Sequence, residues 1–421
     1  MLQRQTSDFT TQLTLSFILL AISALMLASG LNFGVKPSLY ISGITSFLLL
    51  AQLLLSSPKK ALILLAPIAF ITFVLVSPGT FFVDARIAGR LACALFAGIG
   101  LQLFLKKYST NILFFLNISF SAAVLIGSFY GLLNKPEIFD SRLSLQFSNP
   151  QYFAFTAAIT IFISIIYTQE LPKKLKRVSY FSAWLAAFAI ILSVSRSTYV
   201  GLLFSCGTYA LIFHSKKIWK YVLVIALLLA ISFPLLPQHQ QQRLTNTISA
   251  PLHDNTVRLR LGIWYTALQG ITHAPIMGNG LRTYTDFDME YKASHLHDIE
   301  KIKYTKFVEK QRWANPHNLY LASLFGWGII GTLLLIVAFI PALLLSKGRT
   351  RHFFILVTLF NLGYGLTDVY LKKDEGALFL FFPLGMAYGS ILFERYSDTL
   401  KNFLPNASSP QTFMTKLTHD H

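Results

Sequence analysis

Residues 318–345 read NLYLASLFGWGIIGTLLLIVAFIPALLL, without one charged side chain. The run exceeds the roughly 20 residues that a helix needs to cross a hydrocarbon layer. A segment alone in lipid must satisfy its own backbone hydrogen bonds, so such a run predicts a helix. Comparable runs follow at 352–371 and 376–393. Others precede it at 13–34, 38–55, 61–77, 86–105, 111–133, 151–169, 178–195, 198–213 and 218–236. The expected fold is therefore all-α: a polytopic transmembrane helical bundle of about 12 spans. The seventh and eighth runs are nearly continuous and predict a tight helical hairpin around Ser195, Arg196 and Ser197. Composition agrees, with 54% hydrophobic and 13% charged residues, where a soluble domain carries about twice that charge. The strand alternation of a membrane barrel is absent. The first run reads as a retained span, because no small-residue cleavage site follows it.

The net charge is +18. Its basic residues are dispersed between spans, which argues against nucleic acid as a partner and for membrane lipids. Lys59 and Lys60, Lys106 and Lys107, Lys173 to Arg177, Lys216 and Lys217, Lys347 to Arg351, and Arg395 with Lys401 follow the even-numbered runs. Basic connections stay in the cytoplasm, so both termini are expected there and the protein in a cytoplasmic membrane. The expected organisation is nine spans over 1–236, an extracytoplasmic and mostly helical loop over 237–316, three spans over 317–393 and a cytoplasmic tail over 394–421. The second half of the loop, Asp286 to Arg312, has no Gly or Pro and reads as surface helix. Cys93 and Cys206 lie in apolar runs and read as packing residues.

Several arginines go against this topogenic trend. Arg86 and Arg90 open the fourth run beside Asp84, either as a structural ion pair or as part of a site. Arg142 precedes the sixth run, Arg196 sits between the seventh and eighth, and Arg258 and Arg260 lie in the long loop with Trp264 and Tyr265 at helical spacing. Arg282 reads as a solvated loop residue. An ionisable group at membrane depth points to function, and guanidinium is the planar fork that suits phosphate oxygens. Pro316 suits a first helical turn, which would carry His317 at the membrane surface with Asn318 beside it. Histidine is the side chain most easily poised for proton transfer. Asp368 is expected to pair with Lys372, or with His317. His295-Leu296-His297-Asp298 does not have metal-ligand spacing and reads as solvated helix. Gly278-Asn279-Gly280 reads as a turn. No Walker motif and no Asp-x-Asp pair occurs, so neither a metal nor another cofactor is expected.

Four stretches carry a resemblance: Ser193-Val194-Ser195-Arg196-Ser197 with Gly201; Arg258-Leu259-Arg260 with Trp264; Pro275 to Gly280; and Pro316-His317-Asn318-Leu319-Tyr320 with Gly326 and Gly331. Together with the late loop they resemble the O-antigen ligase and O-antigen polymerase superfamily of bacterial membrane glycosyltransferases. Among its branches the ligases of WaaL type look closest, and Thr367-Asp368-Val369 is similar to a ligase stretch. The resemblance implies a GT-C-like architecture in the bacterial inner membrane with its site facing the periplasm. It also implies a donor glycan on undecaprenyl diphosphate and an acceptor hydroxyl on lipid A–core oligosaccharide. In that reading His317 is the base, Arg196 and Arg260, with Arg142 or Arg258, hold the diphosphate, and Asp368, Asn318 and Arg86 support them. One departure is that Leu321, Ala322 and Ser323 stand where an acidic residue is common. Two alternatives use the same donor, an O-antigen polymerase and a protein O-oligosaccharyltransferase. A more distant one is a flippase for the lipid-linked glycan.

Overall fold

A computed structural model of the chain describes residues 35–56, 58–77, 84–108, 150–168, 171, 173–193, 195–214, 255–295, 313, 315–369 and 374–396, with a few positions between 219 and 245. These residues are helical, with no strand among them. The helices are α1 (Val35–Ser56), α2 (Pro58–Val76), α3 (Ala85–Tyr108), α4 (Pro150–Tyr167), α5 (Lys173–Ser193), α6 (Arg196–Ile212), α7 (Asn255–His273), α8 (Tyr284–Ser294), α9 (Leu319–Leu345), α10 (Gly348–Gly365) and α11 (Asp374–Arg395). Three of them, Pro58–Val76, Ala85–Leu103 and Leu319–Leu345, are long and apolar enough to cross a membrane. The expected runs at 13–34 and 111–133, and most of 218–236, lie outside the described residues, as do Arg142 and Lys372.

Aromatic and small side chains hold the bundle together. Phe155 of α4 stacks on Phe379 of α11 at 3.9 Å between ring centroids and meets Phe360 and Tyr364 of α10 edge-on. α3 lies along α11, and α6 lies along α10 with its closest approach at Gly201 and Gly363. The hairpin expected around Arg196 takes a different form. α5 packs on α4 and α6 on α10, while the Tyr199 hydroxyl donates to the Ile190 and Ile191 carbonyls at the junction of α5 and α6. The outward side of α9 exposes Ile329, Leu333, Ile336, Val337, Ile340 and Leu344. These recur every three or four residues and form one aliphatic stripe along the helix. Such a stripe is stable against hydrocarbon and costly against water.

The tenth apolar run differs from the single straight span expected of it. Gly328 takes φ 61° and ψ −167° and breaks α9 after its first nine residues. The four backbone groups freed by the break bind the turn that follows α7. The Ile329 and Ile330 N–H groups donate to the Pro275 and Ile276 carbonyls at 2.9 and 3.1 Å, and the Phe325 and Gly326 carbonyls accept from the Asn279 and Gly280 N–H groups at 2.8 and 2.9 Å. A broken helix is tolerated at membrane depth where neighbours satisfy its backbone in this way. The expected turn at Gly278-Asn279-Gly280 is thus observed, with Gly278 and Gly280 both at positive φ.

Before the break, α9 packs against α7. Its Phe325 and Leu321 join Ile263, Ile271 and Ala267 of α7, Tyr284 and Phe287 of α8, and Trp313 in a second, smaller core. The Tyr284 hydroxyl donates to the Ile263 carbonyl at 2.9 Å inside it. Of the surface helix expected over Asp286 to Arg312, residues 296–312 lie outside the described residues, and the described part is more buried than expected. The helix starts at Tyr284, ends at Ser294, and buries Asp288, Tyr291 and Lys292. His295 lies beyond its end, stacked on Tyr291 at 4.3 Å.

Candidate active site

The site forms where α9 begins and α10 ends. Asn315 Oδ1 accepts the His317 N–H at 2.9 Å, closing an Asx turn across the buried Pro316. His317 leaves this turn with φ 49°, a conformation that histidine adopts more readily than most residues but that still stores strain of about 1–3 kcal/mol. Asn318 then caps α9. Its Oδ1 accepts from the Tyr320 and Leu321 N–H groups at 3.0 and 3.1 Å, and its Nδ2 donates to the Leu366 carbonyl at 3.1 Å. Pro316 is therefore not on the first helical turn. The helix starts three residues later, and His317 stands in the bend before it. The strained bend is over-determined by two asparagines, a proline and a tie to the end of α10.

That tie brings in the acid. α10 ends at Gly365, whose missing side chain lets it approach Leu319 closely. The chain then turns, and Asp368 Oδ1 lies 3.2 Å from His317 Nδ1. Asp368 Oδ2 accepts the Tyr364 hydroxyl at 3.2 Å, and its own Oδ1 also takes the Val369 N–H at 2.8 Å. Among the described residues the partner of Asp368 is thus His317, one of the two expected for it; Lys372, the other, lies outside them. An ionised carboxylate only accepts. An imidazole that donates to it from Nδ1 keeps a lone pair on Nε2. The His317 side chain is 28% exposed and that of Asp368 6%, so the imidazole is reachable and the carboxylate is not. The Trp313 ring closes one side of the imidazole edge-on at 5.7 Å.

The arginines fall around this centre in different ways. Arg196 is the first residue of α6, behind the buried Ser195 in extended conformation, and is half-buried. α6 and α10 are antiparallel neighbours with Gly201 opposite Gly363. Five residues back from Gly201 and five on from Gly363 bring Arg196 and Asp368 to one end of the same helix pair. Arg260 lies on α7, in register with Ile263 and Ala267, which face the smaller core. It is half-buried on the side that Trp313 packs against; for Arg258 only the helical backbone is described. Arg86 is exposed on the first turn of α3, and Arg282 is exposed as expected of a loop residue. Asp84 has a wider role than the local ion pair considered for it. Fully buried, its carboxylate accepts the Leu281 and Arg282 N–H groups at 2.8 and 3.2 Å. It pins the turn that holds the α9 break, as does Ser77, whose hydroxyl donates to the Met277 carbonyl.

Sequence reasoning did not single out Trp313 or Asp288. An aromatic residue four positions before the histidine was the available signal for Trp313. Nothing local marks Asp288 as buried. Among the described residues no cluster of three or more His, Cys, Asp or Glu could hold a metal ion.

A histidine paired with a buried carboxylate, with Arg196 at the same end of α6 and α10, is an arrangement that can serve general-base chemistry. Residues 181–336 match the model of a protein family described as O-antigen ligase. The matched stretch contains Arg196, Arg258, Arg260 and His317; Asp368 lies beyond it. The match supports kinship with the O-antigen ligase and polymerase superfamily without selecting one branch of it. No curated protein matches the chain.

Proposed function

We propose that this protein is an O-antigen ligase that moves a glycan from undecaprenyl diphosphate to a sugar hydroxyl of lipid A–core oligosaccharide. In this reading about twelve spans cross the bacterial inner membrane, both termini are cytoplasmic, and the site faces the periplasm. The observation that carries the reading is the His317–Asp368 pair at 3.2 Å, in the bend before a helix long and apolar enough to cross a membrane.

His317 Nε2 takes the proton of the acceptor hydroxyl while Asp368 stabilises the imidazolium that forms. The hydroxyl oxygen attacks the anomeric carbon as the bond to the diphosphate oxygen breaks on the opposite face, inverting that carbon. Arg196 and Arg260, with Arg142 or Arg258 in support, neutralise the charge that grows on the leaving diphosphate. The donor is already activated, so no ATP enters, and guanidinium charge takes the part that Mg²⁺ plays in other phosphate chemistry.

Purified protein in vesicles, given a lipid-diphosphate-linked glycan, tests the reading when the acceptor is varied. Transfer to core lipid, retained in excess EDTA, is the expected result. Transfer only to a second lipid-linked repeat would make the protein a polymerase, and transfer only to a protein would make it an oligosaccharyltransferase. Glycan translocation with no transfer would end the enzymatic reading.

A further inference from the structure

Asp288 and Lys292 form an ion pair sealed inside the smaller core. Lys292 Nζ donates to Asp288 Oδ2 at 2.5 Å, and the side chains are 0% and 3% exposed. Neither is used by the transfer chemistry. Burying both ions costs several kcal/mol each before their attraction is counted, and apolar pairs of similar volume often serve stability equally well. An i, i+4 pair on a loop helix would ordinarily lie in solvent. Its placement therefore asks what else it touches.

It touches the segment that leads to the histidine. Asp288 Oδ1 has no hydrogen bond of full geometry, yet the Trp313 amide and Thr266, whose hydroxyl donates to the Gly262 carbonyl at 3.2 Å, lie near enough to act on this carboxylate. Burial pushes the carboxyl up from its usual range, and Lys292, then Trp313 and Thr266, draw it back. Trp313 in turn stands edge-on to His317 at 5.7 Å and packs into the core that holds Ile263 and Phe325. His317 is thus held on one side by Asp368 of the bundle and on the other by an indole fastened to α8.

We propose that the buried Asp288–Lys292 pair is a positioning device for His317: it fixes the Trp313 main chain, and the Trp313 indole fixes the loop-side wall of the imidazole. Asp288 and Lys292 touch no reacting atom, so they are positioning residues. The proposal rests on the ligase reading only for its kinetic consequence; the geometric claim stands apart from it. A misplacement of about 1 Å at a reacting group can lower a rate about 100-fold. Loss of the pair is therefore expected to lower kcat about 10- to 100-fold and leave KM for the lipid donor unchanged.

The test uses the full chain in vesicles with three variants: Asp288→Leu with Lys292→Met, Trp313→Ala, and all three together. The apolar double variant removes both charges at once, so neither ion is left buried alone. The first readout is the rate of His317 carbethoxylation by diethyl pyrocarbonate, followed by peptide mass spectrometry with His273 as internal reference. It needs no substrate. His317 is expected to react several-fold faster in the double variant and in Trp313→Ala, with no further gain in the triple variant. The kcat losses should be non-additive in the same way. An unchanged His317 rate in the double variant, or full additivity in the triple, overturns the proposal. If the double variant does not accumulate, Trp313→Ala decides alone, because an unchanged His317 rate there removes the link on which the proposal depends. Faster modification in variants of a protein that transfers no glycan would uphold the positioning and refute the ligase reading.

Discussion

Replacing Asp368 with asparagine isolates what the carboxylate does for His317. The side chain keeps its size, and its carbonyl oxygen can still accept the Val369 N–H or the Tyr364 hydroxyl, at 2.8 and 3.2 Å in the wild type. The charge beside Nδ1 is lost. The amide can also present a donor to Nδ1, which would move the imidazole proton to Nε2 and leave no lone pair to receive the proton of the acceptor hydroxyl. A hydrogen bond to a charged group contributes about 1.5–3 kcal/mol. At about 1.36 kcal/mol per decade of rate, losing it lowers kcat about 10- to 150-fold. The diphosphate is held by arginines, so KM for the donor should stay within about twofold, as for an interaction made only in the transition state. The assay is transfer from a labelled lipid-diphosphate glycan to core lipid in vesicles, with protein level and thermal unfolding measured on the same preparation. A kcat within twofold of wild type in a normally inserted protein would refute the role of Asp368, and with it the proton placement on His317.

Three further outcomes follow from the same contacts. Arg196→Lys keeps the charge but loses the planar fork, so donor KM should rise about tenfold, consistent with one lost bidentate contact; unchanged donor saturation would remove Arg196 from the diphosphate. Gly328→Ala places a methyl at φ 61°, in collision with the Ile276 carbonyl and 2.6 Å from Gly278 N. The strain alone is about 1–3 kcal/mol, and the protein should unfold at markedly lower temperature or fail to accumulate; a wild-type melting curve would contradict the docked break. Asp84→Ala leaves the Leu281 and Arg282 N–H groups without their charged acceptor, at a cost of about 2–3 kcal/mol. Limited proteolysis should then cut faster between α7 and α8, and equal rates would show that the tie carries no stability.

The legible parts of this molecule were those written in local pattern. Long apolar runs foretold the helices at 38–55, 86–105 and 376–393, because each satisfies its own backbone and needs no knowledge of its neighbours. His317 and Arg196 were visible for a similar reason: each interrupts a stretch whose composition otherwise leaves no place for it. What failed were relations across the chain. The break at Gly328 was hidden because its four orphaned backbone groups are met by residues some fifty positions earlier, and backbone partners leave no mark on side-chain identity. Asp368 was seen with two expected partners, and only the fold, by ending α10 at Gly365 and turning the chain, brings it to His317. Asp84 finds the Leu281 amide 197 residues away, a contact that depends on how α3 and the turn meet in space. The burial of Asp288 and Lys292 depends likewise on how α8 meets the rest of the fold.

The most direct measurement is the rate of glycan transfer to core lipid by His317→Ala protein, reconstituted beside wild type at equal density. A positioned general base contributes about 10²- to 10⁴-fold. The rate is therefore predicted to fall at least about 100-fold while donor binding persists. Transfer at the wild-type rate would contradict the account at its centre.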